Sequence, residues 1–306
     1  MIDYTDSKLL KELKNEYDET LKRSYLKFGN GFFNADFPYS SKYPLYFRKH
    51  ILDNLIRDMR KDVYLSYKNG AGHELDEGPH GVPPKFLSIG SSSQFCFTSL
   101  DINESMNEKE GADFFAHKGE RIKRTYFEKQ LPVLNDGSIP PHTDAYAKTI
   151  KREYFFECKC HEMFDAHTIK LSKKYFGTDK DLVVDYIPKE YLKEDNGMID
   201  INPSIFDVTE TIFDIKQLLT HLMGIACNKV KKECDLIYYY SFPMEKDIED
   251  ERIKEVISKV KEDSIKIFES EIIKNYCLKY GITIHMFGHH SAYHYAASKN
   301  DTYQIY

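Results

Sequence analysis

This chain of 306 residues has no tryptophan, only six cysteines and only eight arginines. The cysteines include no Cys-x-x-Cys pair, which argues against a structural zinc site, and six in a chain this long do not make a disulfide scaffold. Because 35 lysines outnumber the arginines, the side chain that reads guanine through two hydrogen bonds is scarce. Sequence-specific DNA reading therefore does not follow from composition.

Long apolar runs are also missing. None approaches the roughly 18 residues that a membrane-spanning helix needs. The first residues, MIDYTD, lack the basic-then-apolar pattern of a signal peptide. We therefore expect a cytoplasmic protein without a membrane partner.

Neither sign of charge dominates the composition. The 43 basic and 49 acidic residues give a formal charge of −6, which excludes a chain that coats nucleic acid through bulk charge. Hydrophobic residues make up 41%, while glycine and proline number only 15 and 11, as is typical of a folded globular protein. A polyanion could therefore bind only at a local cluster of basic residues.

The first 118 residues read as a helical extension. Apolar residues at helical spacing predict helices over 9–28 and 46–64. The segment 69–93, rich in glycine and proline, predicts a long loop. Serines 91–93 are suited to cap a short helix that ends at Leu100, and the charged stretch that follows, to about Glu120, is predicted to be mostly helical.

From Thr125 onward, short apolar segments separated by turn residues indicate a sheet. Strands are predicted near 125–134, 143–150, 154–161, 236–242 and 282–287, with the first turn at 135–137. Helices are predicted over 204–229, packed on the sheet, and over 248–280, ended by Gly281. We expect an α/β protein in which residues 119–306 form the core with a C-terminal helix–strand addition, continuous with the extension.

The segment 140–161, PPHTDAYAKTIKREYFFECKCH, carries the candidate chemistry. Alternation along a strand puts Glu157, Lys159 and His161 on one face. If the turn centres on residues 150–151, Asp144 lies directly opposite Glu157, with Cβ atoms about 5 Å apart. Two carboxylates and an ammonium then converge.

Carboxylates that close raise each other's pKa and destabilise the sheet unless a cation neutralises them. Oxygen ligands favour Mg²⁺, for which Mn²⁺ can substitute. The pattern acidic-x-Lys occurs four times in the chain, but only Glu157 to Lys159 lies on a predicted strand that follows a strand with an aspartate. Spacing alone leaves open the alternative of an ordinary solvated strand face.

Asp144 followed by Glu157-Cys158-Lys159 resembles the motif of the PD-(D/E)xK nuclease superfamily, over about residues 120–243. The resemblance implies a restriction-endonuclease-like core, a central mixed sheet flanked by helices in the order α-β-β-β-α-β. It implies that Asp144, Glu157 and the backbone carbonyl of Cys158 hold Mg²⁺. Lys159 would serve the attacking water, leaving a 5′-phosphate and a 3′-hydroxyl.

Two features of the chain depart from the motif. Thr143 precedes Asp144 where the family often has proline, and Gln217 is followed four residues later by His221 where some members have tyrosine. Gln217 remains a candidate support residue. Glu74 is the candidate for the additional acidic residue that many members carry.

The resemblance implies a metal-dependent endonuclease acting on DNA, most simply double-stranded, in restriction or another defence against foreign DNA. Lys148, Lys151 and Arg152 at the hairpin tip are candidate phosphate contacts. Cutting both strands of a duplex often uses a homodimer. Two alternatives stay open: a repair or RNA nuclease of the same fold, and a non-catalytic module that binds nucleic acid or protein.

Histidines cluster twice in the sequence, and each cluster is a candidate metal site. One comprises His285, His289, His290 and His294, and the other His161 and His167. No cysteine lies at zinc-finger spacing from them. We interpret these histidines as solvated rather than metal-binding.

Overall fold

The computed structural model describes residues 2–26, 59–70, 73–78, 82–88, 90–102, 111–134, 136–165, 167–243, 245–290 and 302–306. The helices in these ranges are α1 (Ser7–Leu26), α2 (Lys61–Asn69), α3 (Ser92–Leu100), α4 (Ile215–Asn228), α5 (Glu251–Glu269) and α6 (Glu271–Tyr280). The strands are β1 (Thr125–Gln130), β2 (His142–Lys148), β3 (Arg152–Lys159), β4 (Lys170–Ser172), β5 (Leu192–Asp195), β6 (Met198–Ile201), β7 (Glu233–Phe242), β8 (Ile282–His290) and β9 (Thr302–Gln304).

The large sheet has the strand order β1-β2-β3-β7-β8-β9. Strands β1, β2 and β3 pair antiparallel, β3, β7 and β8 pair parallel, and β9 pairs antiparallel with β8. The prediction of an α/β protein with a mixed sheet is thus confirmed. The element order from α3 to β7 contains helix, three strands, helix and strand in succession, with the small sheet β4-β6-β5 inserted before the second helix.

The centre of the large sheet is covered on both faces. Nine of the ten residues of β7 are buried, as expected for a parallel strand between two layers. On one face the ring of Tyr238 packs against Phe213 and Phe268. On the other face Tyr239 packs against Phe95 of α3. This double burial explains why the run LIYYYSF could be recognised as a strand.

Two predicted helices have different bounds in the structure. The helix predicted over 204–229 begins only at Ile215, after a 3₁₀ turn over Pro203–Phe206 and a left-handed Asp207 at φ 59°. Asp214 starts it by accepting a hydrogen bond from the backbone of Gln217 at 2.9 Å. The helix predicted over 248–280 is two helices. Ser270, at φ −59° and ψ 144°, is extended and separates them.

The small sheet β4-β6-β5 was not predicted. Its strands have three or four residues, and β5 reads Leu-Lys-Glu-Asp with three exposed side chains. So short and polar a segment carries no periodicity that separates a strand from a loop. The prediction for residues 125–134 was also too long, because β1 ends at Gln130.

The N-terminal predictions hold in part. Helix α1 confirms the first helix, although residues 27–28 lie outside the described ranges, as do 46–58 of the second predicted helix. Ser91 caps α3 as predicted, its Oγ accepting from the Gln94 backbone at 3.1 Å. The helical prediction up to Glu120 is wrong for its described part, where a single 3₁₀ turn spans Gly111–Phe115.

One cluster of buried apolar side chains includes Tyr17 of α1, Phe95 of α3 and residues of the large sheet. Residues on both sides of the predicted boundary near residue 118 therefore belong to the same hydrophobic core. None of the helices given above combines the length and apolar character needed to cross a membrane.

The packing of α4 on the sheet depends on Gly224. A Cβ atom added there would lie 2.6 Å from Cβ of the buried Leu131 and 3.1 Å from its carbonyl oxygen. Alanine in a helix is normally more stable than glycine by about 1 kcal/mol, but overpacking costs about 1–3 kcal/mol. We expect Gly224→Ala to lower the free energy of unfolding by about 1 kcal/mol in urea titrations, the balance of those two effects.

The matched control is Cys227→Ala, on the same helix but exposed. We expect it to stay within about 0.5 kcal/mol of wild type. A Gly224→Ala variant as stable as wild type would mean that Leu131 moves aside without penalty.

Candidate active site

The hairpin of β2 and β3 has the predicted register. Ala145 pairs with Phe156, and the pairing closes around residues 150–151. One further step along the same register sets Asp144 beside Glu157. Both carboxylates therefore lie on neighbouring strands at the same level of the sheet, on the face that α4 covers.

Asp144 is anchored across this strand pair. Its Oδ2 accepts a hydrogen bond from the backbone nitrogen of Cys158 at 2.7 Å. Burial, and then the charge of Glu157, raise the pKa of Asp144 well above its usual range. The side chain of Cys158 is fully buried, as predicted. The backbone amide of the residue after Glu157 thus holds the Asp144 carboxylate in place.

Glu157, Lys159 and Gln217 form a closed hydrogen-bonded group. The Lys159 ammonium donates to Oε1 of Glu157 at 2.7 Å and to Oε1 of Gln217 at 2.6 Å. The Gln217 amide nitrogen donates to the same Glu157 oxygen at 2.6 Å. Glu157 is only 3% exposed. Helix α4 therefore brings the predicted support residue Gln217 to the two motif residues.

His221 lies one turn beyond Gln217 on α4 and is 1% exposed. Its Nε2 is 3.0 Å from the backbone oxygen of His142, an acceptor, so this nitrogen carries a proton. Burial lowers the pKa of His221, which favours the neutral ring. The same nitrogen is 3.6 Å from Oε2 of Glu157, and Nδ1 is 3.5 Å from the Tyr238 hydroxyl. An imidazole thus lies beside Glu157, one helical turn from Gln217.

Two further carboxylates lie within electrostatic reach of this group. Burial, followed by the charges of Glu74 and Glu157, raises the pKa of Glu128 to about 7. Burial also raises the pKa of Glu74, and the charge of Glu128 contributes to the raised pKa of Asp144. The charge of the predicted candidate Glu74 therefore acts on Glu128, and the charge of Glu128 acts on Asp144.

Sequence reasoning missed Glu128. It stands on β1 between Phe127, which pairs with Ala145, and Lys129, which pairs with Thr143, so its neighbour on β2 is Asp144. Glu128 belongs to no short sequence motif. Its position opposite Asp144 is the feature that could have identified it. That position depends on the register between β1 and β2. Because a long connection rather than a tight turn joins these strands, the sequence does not fix their register.

Lys159 is the cation that the carboxylates share. Burial alone would lower the pKa of Lys159, but nearby carboxylates, Glu157 foremost, raise it above its usual value. Burial would raise the pKa of Glu162, yet the ammonium of Lys159 holds it below the usual range. Lys159 is therefore charged at neutral pH. One ammonium faces several carboxylates, and the site carries an excess of negative charge.

Oε2 of Glu157 is buried and has no hydrogen-bond partner. Leaving a buried acceptor unsatisfied costs about 1–3 kcal/mol, more when it is charged. The side-chain oxygens of Asp144 and Glu157, with the carbonyl of Cys158, are the ligand type that Mg²⁺ and Mn²⁺ prefer. The unpaired oxygen and the negative charge thus fit a hard divalent cation. Across the described ranges, no three His, Cys, Asp or Glu side chains are already gathered as a metal-binding group.

The predicted phosphate contacts lie elsewhere. Lys148 ends β2, Lys151 lies in the turn and Arg152 begins β3. Five residues of strand, about 17 Å, separate Arg152 from Glu157. Arg152 is paired with Glu233 at 2.6 Å. These cations do not join the acidic site, and a phosphate contact at the hairpin tip stays a prediction.

The interpretation of the C-terminal histidines as solvated is wrong for two of them. His285 lies on β8 and contacts Oδ1 of the buried Asp235 through Nε2 at 2.8 Å. His289 is fully buried, its ring near Phe95 and Tyr239. Strand β8 is longer than the sequence indicated, and its inner face packs on α3. His294 lies outside the described ranges.

The arrangement combines carboxylate oxygens, a charged amine and an amide that is bonded to that amine and to Glu157. Comparisons of the chain with protein-family models, with curated proteins and with solved structures gave no match. Function is accordingly inferred from the residues of the site. Chemistry that suits them is hydrolysis at a negatively charged centre, where a metal ion and an ammonium offset charge.

The raised pKa of Glu128 predicts a pH-dependent stability difference. Folded Glu128 keeps its proton up to about pH 7, whereas the unfolded side chain ionises near its ordinary 4.5. The stability contributed by the protonated form is complete below pH 4.5 and is lost as the pH rises through 7. Without metal, we expect Glu128→Gln to be more stable than wild type above pH 7, by up to about 3 kcal/mol, and equal to it below pH 4.5.

Urea unfolding at several pH values in the presence of EDTA measures this difference. Glu190→Gln, at an exposed turn, is the matched control and should show no such trend. A Glu128→Gln variant whose stability difference is the same at pH 5 and pH 8 would contradict the raised pKa.

Proposed function

We propose that the chain is a metal-dependent nuclease that hydrolyses phosphodiester bonds of DNA, with Asp144, Glu157 and Lys159 as catalytic residues. The observation that carries the proposal is the meeting of Asp144 and Glu157 on paired strands, with Lys159 bonded to Glu157 and one Glu157 oxygen left without a hydrogen bond. The element order around them supports a restriction-endonuclease-like core of the PD-(D/E)xK type.

Mg²⁺ is the cation we propose, with Mn²⁺ as a substitute. Asp144, Glu157 and the backbone carbonyl of Cys158 would hold it. When bound, such an ion lowers the pKa of a water ligand and offsets charge on the phosphate. The charges of Glu128 and Glu74 nearby would strengthen the attraction for a divalent ion.

Lys159 acts as a charged donor rather than as a free amine base. Because neighbouring carboxylates keep it protonated, its ammonium is suited to orient the attacking water and to stabilise charge that develops on the phosphate oxygens. Gln217 is a positioning residue that fixes Lys159 and Glu157 to each other. His221 backs Glu157 and excludes water from that side.

The activity test uses purified protein with plasmid DNA, single-stranded DNA and RNA, each with Mg²⁺, Mn²⁺ or EDTA. We expect cleavage of DNA that needs a metal. Asp144→Asn, Glu157→Gln and Lys159→Ala should each lower the rate by about 10²–10⁴-fold, because each removes charge stabilisation or water positioning. Gels resolve the products and their ends.

The control variant is Lys193→Ala, an exposed lysine on β5, and it should cleave like wild type. Cleavage of RNA alone would replace the DNA proposal by an RNA nuclease of the same fold. No metal-dependent cleavage of any substrate would leave a non-catalytic binding module.

Metal binding can be tested apart from activity. At a metal concentration of 100 Kd we expect about 2.7 kcal/mol of stabilisation, seen as a rise in Tm. Asp144→Asn should abolish the rise, while Asp179→Asn, at an exposed position, should keep it. An equal rise in wild type and in Asp144→Asn would place the metal elsewhere.

A further inference from the structure

Two loops at the amino ends of β3 and β7 form one basic surface, which we call the basic end. One loop is the turn between β2 and β3, and the other is the segment 229–232, Lys-Val-Lys-Lys, which leads from α4 into β7. The loops lie side by side because Arg152 pairs with Glu233 where the two parallel strands begin. The sequence places these loops about 80 residues apart, so the fold brings their charges together.

Glu153 holds the two loops to each other. Its Oε2 accepts hydrogen bonds from the backbone nitrogens of Val230 at 2.7 Å and Lys231 at 2.8 Å. Its Oε1 accepts one from the Tyr146 hydroxyl at 2.6 Å. The residue is only 2% exposed. This carboxylate therefore fixes the spacing of the loops, and its oxygens are occupied by donors of the protein itself.

Positive charge is in excess at the basic end. Its basic residues are Lys148, Lys151, Arg152, Lys229, Lys231 and Lys232, and the acidic residues that face the two loops are Glu120, Glu153, Glu233 and Asp235. Arg152 is paired with both Glu233 and Asp235, and Lys229 donates to the backbone oxygens of Lys232 and Tyr280. Even with every one of these carboxyls ionised, the cations outnumber them.

Four lysines of the basic end are available to a partner. Within the part of the chain that the structure describes, no ion pair engages the side chains of Lys148, Lys151, Lys231 and Lys232. Three of them are exposed, and Lys231 is partly exposed. In an acidic chain, such a group of unpaired cations attracts a polyanion to one place.

The tips of both loops face solvent. Ile150 is 91% exposed and Val230 is 76% exposed, so neither loop is covered by the rest of the chain. A second copy of the chain docked here on itself would bring like charges together, which is unfavourable. The charge of the surface thus favours a negatively charged partner.

The basic end and the candidate site belong to the same hairpin. Lys148 lies on the same face of β2 as Asp144, because alternate residues of a strand share a face, and four residues separate them by about 13 Å. Successive base pairs of DNA are about 3.4 Å apart along the helix axis, so this distance corresponds to about four base pairs. A duplex whose scissile phosphate lies at Asp144 and Glu157 is therefore long enough to reach the basic end.

We propose that the basic end binds the phosphate backbone of duplex DNA about four base pairs from the scissile phosphate, through Lys148, Lys151, Lys231 and Lys232. The identity of this polyanion rests on the nuclease activity proposed above. The candidate site itself carries excess negative charge, so these lysines supply the attraction for DNA that the site lacks. Phosphate contacts position a duplex without reading its sequence, in keeping with the scarcity of arginine.

The binding test is fluorescence anisotropy of a labelled duplex, long enough to span both regions, in EDTA at several KCl concentrations. Each lost phosphate contact lowers the slope of log K against log salt by about 0.9. We expect Lys231→Ala/Lys232→Ala and Lys148→Ala/Lys151→Ala each to weaken Kd roughly 3- to 30-fold and to lower that slope by about 1.8. The variant with all four substitutions should show about twice the change in slope.

The matched control is Lys189→Ala/Lys193→Ala, which removes the same charge from exposed positions beside the small sheet. It should keep the Kd and the salt slope of wild type. Lys231→Arg/Lys232→Arg retains the charge and should also bind as wild type does. An unchanged Tm of every variant verifies that folding is intact.

The cleavage arm compares a long duplex with a short one that ends before it reaches the basic end. For the long duplex, the loss in the lysine-to-alanine variants should appear in KM, because the contact is made equally in the ground state and the transition state. The short duplex should be cleaved equally by wild type and by these variants. A third arm measures binding to vesicles that contain phosphatidylserine.

Each result decides the proposal. Equal Kd and salt slope in wild type and in the variant with four substitutions, or no binding of DNA at all, would overturn it. If the long duplex is cleaved with the same KM by all variants, the basic end is not the contact and the nuclease proposal stands. If nothing is cleaved but the salt slope falls as expected, the DNA contact stands and the nuclease proposal fails. Vesicle binding that depends on the four lysines, with DNA binding unchanged, would assign the surface to an anionic membrane instead.

Discussion

The antiparallel register between β2 and β3 is the constraint on which the candidate site depends. Side chains alternate along a strand, so a slip of one residue would send Asp144 to the opposite face from Glu157. The tight turn at 150–151 sets this register, and the hydrogen bond from the Cys158 backbone to Asp144 joins the strands at the level of the site. Parallel pairing with β7 then buries Glu157 beneath α4.

Burial of so many acidic groups works against stability and points toward function. In the folded chain the carboxylates of Asp144 and Glu128 are desolvated beside Glu157, and their pKa values rise. Lys159 and Gln217 satisfy one oxygen of Glu157 and leave the other unpaired. A protein selected for stability alone would not retain such a cluster, whereas a bound cation turns the repulsion into attraction.

Helix α1 contacts the end of the sheet at which the candidate site lies. Asp18 of α1 pairs with His161, two residues beyond Lys159, at 3.1 Å. The hydroxyl of Tyr17 donates to the backbone oxygen of Ser241 on β7 at 2.7 Å. Helix α1 thus braces the carboxyl ends of the two central strands. The N-terminal extension predicted from the sequence therefore packs next to the candidate site.

The sequence by itself determined the α/β class, the hairpin register and the face shared by Glu157 and Lys159, because alternation and a tight turn are local properties of a few residues. Gln217 was anticipated only through a resemblance. Only the tertiary structure decided that α4 lies over Glu157, that His221 stands behind it and that Glu128 joins the cluster. Gln217 is 58 and 60 positions from its two partners. Packing between elements that far apart, and the burial that shifts the pKa of a carboxyl, depend on how whole layers meet, which no local pattern encodes.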